Sequence, residues 1–314
     1  MDSLIYSLNA TLPVFFTIFI GYILKRINIL NDAFVSAANK FNFKVTLPAM
    51  LFLDLASTDI YNNFDLKYVL FCAAATTVMF FAIWGGAKLF IKDKSIIGAF
   101  VQASYRSSAA ILGAAFILNI YGTSGMAPIM IIGCVPLYNI YAVMVLTIEG
   151  GSENGKGAIK KSAVNILKNP IILSILAGIL ASLVNLRLPG ILNKTVNNFA
   201  VMASPLALVA IGAGFEGKKA IAKIKPTIAA ALIKTMVLPG VFLPIAAVLG
   251  FRGQELVALI IMLGSPTTPS SYIMAKNMNN DGVLSSSVIV TTTLLSSVTL
   301  TFWIFIARAL GYIS

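Results

Sequence analysis

In the stretch QASYRSSAAILG, Gln102 to Gly113, a single arginine, Arg106, stands inside an apolar run of membrane-spanning length. A fixed cation at the centre of a bilayer costs about 2.5–3.5 kcal/mol on insertion scales, so it needs a compensating role. Its chemistry allows two. The guanidinium can clamp a carboxylate through two parallel hydrogen bonds, helped by free N–H groups at a half-helix N-terminus. Alternatively it is structural, satisfied by backbone carbonyls or a buried acid. Ser107 and Ser108 add hydroxyls that donate and accept.

A second stretch, GSPTTPS at 264–270, holds Pro266 and Pro269 in the middle of another apolar segment. Proline removes a backbone donor and clashes with the preceding turn, so a helix breaks there. Such a break survives at membrane depth only where protein or water satisfies the freed backbone. Thr267, Thr268 and Ser270 then either line a site or line a kink that holds no ligand. Asn139, in PLYN, either hydrogen-bonds a desolvated substrate or joins two helices. Lys234, in ALIKTMVLP, either holds crossed helices electrostatically or snorkels to an interface; Lys40 and Lys44 read as snorkelling. Asp54 in LFLDLAS is an acid well inside an apolar segment. It either titrates as a coupling group or, with STD just after it, sits solvated near the outer interface. The hydroxyl run Thr291 to Ser297 suits helix-to-helix packing.

Absences narrow the chemistry. The chain has no histidine, which excludes Ser-His and Cys-His nucleophilic sites and histidine-ligated metals. Aspartyl proteolysis needs two close carboxylates, and exchange of cations for protons needs acids at the midplane; Asp54 alone offers neither. No enzyme, cofactor or metal site is expected. A cation, hydroxyls and amides suit an anion.

The elements that must position these residues are membrane helices. Hydrophobic residues make up 58% of the chain and charged ones 11%, with a mean hydropathy of +0.91. About ten windows have the ~20 apolar residues a crossing helix needs, from 4–24 through 283–312. The net charge of +12 is not a nucleic-acid signature, because its lysines cluster in alternate loops: Lys25, Lys88, Lys92, Lys94, Lys156, Lys160, Lys218 and Lys223 among them. Positive-inside bias puts those loops in the cytoplasm and both termini outside, in the cell membrane. Residues 149–168 read as a cytoplasmic linker with a basic edge at the headgroups. Cys72 and Cys134 lie in apolar segments and say little. Asp2 and the lack of a basic N-terminal stretch argue against a cleaved leader.

The chain also reads as written twice. Pro13 and Pro170, Gly21 and Gly178, and Pro48 and Pro205 are each 157 positions apart, half of the 314-residue length. Two halves of five helices, 1–148 and 169–314, would be inverted repeats, with a substrate site near the midplane where broken helices meet. The same register lays 107–113 over 264–270.

Several segments resemble the auxin efflux carrier family of bacteria and plants, which includes the PIN-formed carriers. They are TLPAMLF, YRSSAAILG, PLYNIYAVMVL, ASPLALVAIGAGF and GSPTTPSSYIMAKNM, and the resemblance covers essentially the whole chain. It implies a fold similar to sodium–proton antiporters and bile-acid symporters, with helices four and nine interrupted and crossed. It also implies small organic anions as substrates, such as malate, malonate or indole acetate. Relatives usually carry asparagine after the arginine–serine pair and often Gly-x-Pro further on. Here those places are Ser108 and Gly113-Ala114-Ala115, so the break in segment four rests on Ser107, Ser108 and Gly113.

The expectation is an all-α integral membrane protein of about ten helices in two inverted five-helix repeats. It would carry a small organic anion by alternating access, with a sodium-coupled anion symporter as the alternative. Arg106, Ser107, Ser108, Asn139, Pro266, Thr267, Thr268, Pro269 and Ser270 would bind substrate, with Lys234 and Asp54 in coupling or support. The bilayer is a partner, and a homodimer is compatible with this type of fold.

Overall fold

The structure is a computed structural model that describes residues 2–57, 65–109, 117, 126–151, 164, 166–186 and 188–313. Gly113, Ala114 and Ala115, and most of the expected linker 149–168, lie outside the described residues. Every regular element among the described residues is helical. The first is α1 (Asp2–Arg26), followed by α2 (Asp32–Phe41), which runs through a π-turn at Asn42–Thr46 into α3 (Leu47–Ala56). Then come α4 (Leu66–Phe90), α5 (Ile97–Tyr105), α6 (Ala127–Gly150) and α7 (Pro170–Leu183). Next are α8 (Gly190–Ala200), α9 (Ala203–Ala213), the short α10 (Gly217–Ala222) and α11 (Ile224–Leu232). A second π-turn at Ile233–Val237 leads into α12 (Leu238–Val248), and α13 (Gly253–Gly264), α14 (Ser270–Asn277) and α15 (Gly282–Ala309) complete the chain.

Local chemistry sets the helix starts. Asn31, Asp65 and Asp281 each accept the backbone N–H of the residue three further on, satisfying a donor with no intrahelical partner. Pro48, Pro170 and Pro239 stand in first turns, where a missing N–H costs nothing. Among the described residues, five helical stretches are long and apolar enough to cross a bilayer: Leu66–Phe90, Ala127–Gly150, Gly190–Ala213, Ile224–Val248 and Gly282–Ala309. Many of their large apolar side chains face outward, including Leu70, Val78, Phe81, Val241 and Phe305. Such a surface suits contact with lipid.

Helix ends gather by charge. Lys25 at the end of α1 pairs with Asp32 at the start of α2, at 2.6 Å. Lys88 at the end of α4 pairs with Glu149 at the end of α6, at 3.1 Å. Lys223, just before α11, pairs with Asp281, which caps α15. These ends form a basic face of the molecule.

Two helix pairs approach each other closely. α1 lies against α9, and α3 lies against α7. A Cβ on Gly21 would come 2.5 Å from the carbonyl oxygen of Val209; one on Gly178 would come 2.9 Å from that of Phe52. Gly21 and Gly178 are 157 apart, and so are Phe52 and Val209. Each glycine therefore lets its helix approach the backbone of another closely, as small residues do between membrane helices. α4 packs on α5 and α6, while the α11–α12 unit packs on α13 and α15.

Replacing Gly21 or Gly178 by Leu is expected to lower the stability of the purified protein by about 1–3 kcal/mol, the usual cost of overpacking. Gly85→Leu, where an added Cβ meets nothing within 4 Å, is the control. Thermal unfolding in detergent checks this; equal melting of all three variants would contradict the close approach.

Candidate functional site

The helix that carries Arg106 stops where the sequence places the arginine. α5 ends at Tyr105, and Arg106 is extended, with φ −76° and ψ 131°. Its N–H still bonds Gln102 O at 3.2 Å, so it is the C-terminal cap of α5. On its N-terminal side Arg106 meets the C-terminus of α5, whose exposed carbonyls favour a cation through the helix dipole; the residues that follow the break lie mostly outside the described residues. The break spans Arg106, Ser107 and Ser108 without a proline, because tertiary bonds take over: Ser108 N–H donates to Pro266 O at 2.9 Å.

The second break falls where the two prolines require it. α13 ends at Gly264, and α14 begins at Ser270 after five residues without helix. The two broken segments meet and satisfy each other. Thr267 Oγ1 donates to Ala103 O, near the cut end of α5, at 2.6 Å. Thr267 N–H donates to Thr292 Oγ1 at 3.1 Å, which gives one member of the hydroxyl run in α15 a specific partner. Thr268 and Ser270 share a hydroxyl–hydroxyl bond of 3.2 Å. The hydroxyls of Ser265 and Ser271 are buried without a hydrogen-bond partner.

The cut end of α13 is capped by side chains from three other elements. Lys234 Nζ donates to Leu263 O and reaches Met262 O at 3.5 Å. Ser107 Oγ donates to Met262 O, as does Tyr138 O–H at 3.1 Å. Lys234 is fully buried, so it holds the crossing and does not snorkel. The π-turn Ile233–Val237 that carries it shifts one residue out of helical register, as such turns often do at functional positions.

Arg106 is also buried, at 4% exposure. Nη2 donates to Asn139 Oδ1 at 2.5 Å, and Nη1 touches the Met274 sulfur. With its amide oriented to satisfy both ends, Gln102 accepts from Nη1 at 3.2 Å and donates to Ser271 O at 3.1 Å. Among the described residues, no carboxylate lies within 4 Å of either Arg106 or Lys234. Two buried cations share the crossing and none of these ion pairs involves them.

The residues singled out from sequence thus divide. Arg106, Ser107, Ser108, Asn139, Pro266, Thr267, Thr268, Pro269, Ser270 and Lys234 are all buried, on the two breaks or on the helices that embrace them. Asp54 lies two residues before the end of α3 and is half-buried; α3 packs chiefly on α7 and α8, apart from the crossing. Gln102, Tyr138, Ser265, Ser271 and Met274 were not anticipated. A polar residue one helical turn before the intramembrane arginine was the available signal for Gln102.

A cavity of about 790 Å³ opens on the basic face and descends to Tyr272 and Asn39. Five cations line it, Lys25, Arg26, Lys40, Lys44 and Lys276, against the carboxylates Asp32 and Glu216. At its inner end Asn39 Nδ2 donates to Tyr272 O–H at 3.4 Å, and Asn39 Oδ1 is buried without a partner. Tyr272 belongs to α14, the helix whose Met274 touches Arg106. The vestibule and the crossing are therefore separated by α14.

The comparisons with known proteins place this helical chain, with its two meeting breaks, among membrane transporters. Residues 6–304 match the family described as "Membrane transport protein"; the chain belongs to that family, which is of the auxin efflux carrier type. The "Putative malonate transporter" of Rhizobium meliloti (strain 1021) is 25% identical over 95% of both chains. An "Uncharacterized transporter" of Methanothermobacter thermautotrophicus is 22% identical over 95% of this chain and 97% of its own. The "Uncharacterized transporter YfdV" of Escherichia coli (strain K12) is 22% identical over 97% and 99%. The family and these relatives are transporters, not enzymes.

Lys234→Met should cost about 1–3 kcal/mol, because it leaves a buried carbonyl at Leu263 without its donor. Lys40→Met, on the exposed vestibule wall, should stay within ~0.5 kcal/mol. Paired unfolding curves in detergent decide. A Lys234 variant as stable as wild type would show that the cap is dispensable.

Proposed function

We propose that this protein is a carrier of small organic carboxylates that works by alternating access across the cell membrane. Ten crossings form two inverted five-helix halves, 1–148 and 169–314, joined by 149–168. The basic face lies in the cytoplasm and both termini lie outside. The matched close approaches at Gly21 and Gly178 support the repeat, and the clustering of lysines on one face supports the orientation.

One observation carries the substrate class: Arg106 is buried, forked and without a carboxylate partner among the described residues. Buried charges are normally paired. An anionic substrate supplies the missing charge, taking the guanidinium from Asn139 and Gln102 and exchanging amide bonds for a bidentate carboxylate. Ser107, Ser108 and the 266–270 turn supply orienting hydroxyls and backbone donors, and the buried hydroxyls of Ser265 and Ser271 stand ready beside them. The five-cation vestibule raises the local concentration of anions at the cytoplasmic mouth. Malonate, named for one relative, is the first substrate to try.

The same geometry speaks against a sodium-coupled mechanism. In a sodium carrier, half-helix C-termini and unwound carbonyls hold the ion. Here the carbonyls at the end of α13 are taken by the ammonium of Lys234, a resident cation.

The test is charge movement on a supported membrane with reconstituted protein, challenged with malonate, malate, indole acetate and chloride, with and without sodium. The expected result is a carboxylate-specific signal, independent of sodium, that Arg106→Ala abolishes in folded protein. Thr268→Ala should weaken apparent affinity less, because one hydroxyl contributes about 0.5–1.5 kcal/mol net. A sodium-dependent signal would move the reading to a symporter. Full transport by Arg106→Ala would remove the arginine from the substrate site.

A further inference from the structure

On the outer flank of the molecule, away from the crossing's polar residues, a groove of about 930 Å³ runs between α4 and the α11–α12 unit. Its walls are Val78, Ile83, Phe90, Val237 and Val241, and its buried floor includes Met79 and Phe242. Val78 and Phe90 are twelve residues apart on one helix, a rise of ~18 Å. The hydrocarbon of one leaflet is ~15 Å deep. At the basic face the groove changes character abruptly, and Lys92, Lys223, Lys225 and Asp93 form its mouth.

The charges at that mouth do not cancel. Lys223 is engaged by Asp281. Asp93 accepts from the Ser95 hydroxyl at 2.6 Å and amide at 3.0 Å, which holds its carboxyl below the usual carboxylate range. Lys94 sits beside it, its ammonium on the carbonyls of Lys88 and Ile91 at the end of α4. Lys92 and Lys225 are exposed and have no ion-pair partner among the described residues. Three lysines therefore face Asp93 at the mouth, with Asp281 on Lys223, at the level where an apolar slot one leaflet deep ends.

We propose that this groove is a binding site for an anionic phospholipid, with one acyl chain along α4 and α12 and the phosphate between Lys92 and Lys225. Basic pockets between membrane helices recognise anionic headgroups in this way. The occupant bears on the crossing as well. Ile233 and Val237, at either end of the second π-turn, line the groove, while Lys234 between them points inward to cap α13. A chain seated there braces the turn that holds the cap. The proposal rests on the basic face lying at the headgroups and not on the identity of the transported substrate.

Native mass spectrometry of the full chain released from mixed micelles tests it, with phosphatidylglycerol, phosphatidylcholine or inorganic phosphate added in turn. Wild type should retain one phosphatidylglycerol in preference to phosphatidylcholine. Lys92→Gln with Lys225→Gln should weaken retention about thirtyfold, each lysine near an anionic headgroup contributing about fivefold. Ala82→Trp with Ala229→Trp fills the groove while leaving every charge; it should lose the lipid as well. Equal retention of both lipids, or an unaffected glutamine variant, would overturn the headgroup site. Displacement of the lipid by inorganic phosphate alone, or retention by the tryptophan variant, would overturn the acyl slot. Transport assays of the same variants are read separately, so failure of the lipid site and failure of the carrier reading cannot be confused.

Discussion

The structure depends on how a helix cut inside an apolar segment disposes of its free carbonyls. Each cut leaves up to four acceptors without intrahelical donors, and hydrocarbon offers no water to replace them. At the end of α13 the donors come from outside the helix: Lys234 from the second π-turn, Ser107 from the opposite break and Tyr138 from α6. At the end of α5 the donor to Ala103 O is Thr267, from the other break. The two interruptions are thus mutual. Neither can be relaxed without stranding polar groups in the other, which ties the two broken segments together.

That arrangement has an electrostatic consequence. Capping carbonyls with a lysine, and ending a helix on an arginine, places two cations in the interior with no described acid to balance them. The helix C-termini return part of the balance, each equivalent to roughly half a negative charge. The remainder is what makes an anion welcome in the proposed carrier. In that proposal substrate binds by exchange of partners, and Asn139, Gln102 and Met274 are the partners to be exchanged.

Much of this was legible in the residues. Pro266 and Pro269 break their helix as their chemistry demands, and Gly21 and Gly178 each sit against the backbone of another helix, at Val209 and Phe52. Other features were not legible, for physical reasons. A lysine nine residues into an apolar segment can reach an interface or a carbonyl with equal ease; only tertiary packing, which brings Leu263 to Lys234, decides. The break at Arg106 needed no proline because its compensating bond comes from Pro266, about 160 positions away. That α5 ends one residue before the arginine, leaving its carbonyls beside the guanidinium, also has no signal in the local sequence. Asn39, Gln102, Ser271 and Tyr272 were given no role from their types or spacing, and their partners arise from where the folded chain puts them.

The most direct test of the central claim is a cryo-EM map of the protein prepared in saturating malonate, beside one prepared without it. The account predicts new density within hydrogen-bonding reach of the Arg106 guanidinium, with Asn139 released from it and Lys234 still seated on the end of α13. Density confined to the basic vestibule, with Arg106 still held by Asn139 and Gln102, would contradict it and make the arginine a structural cap.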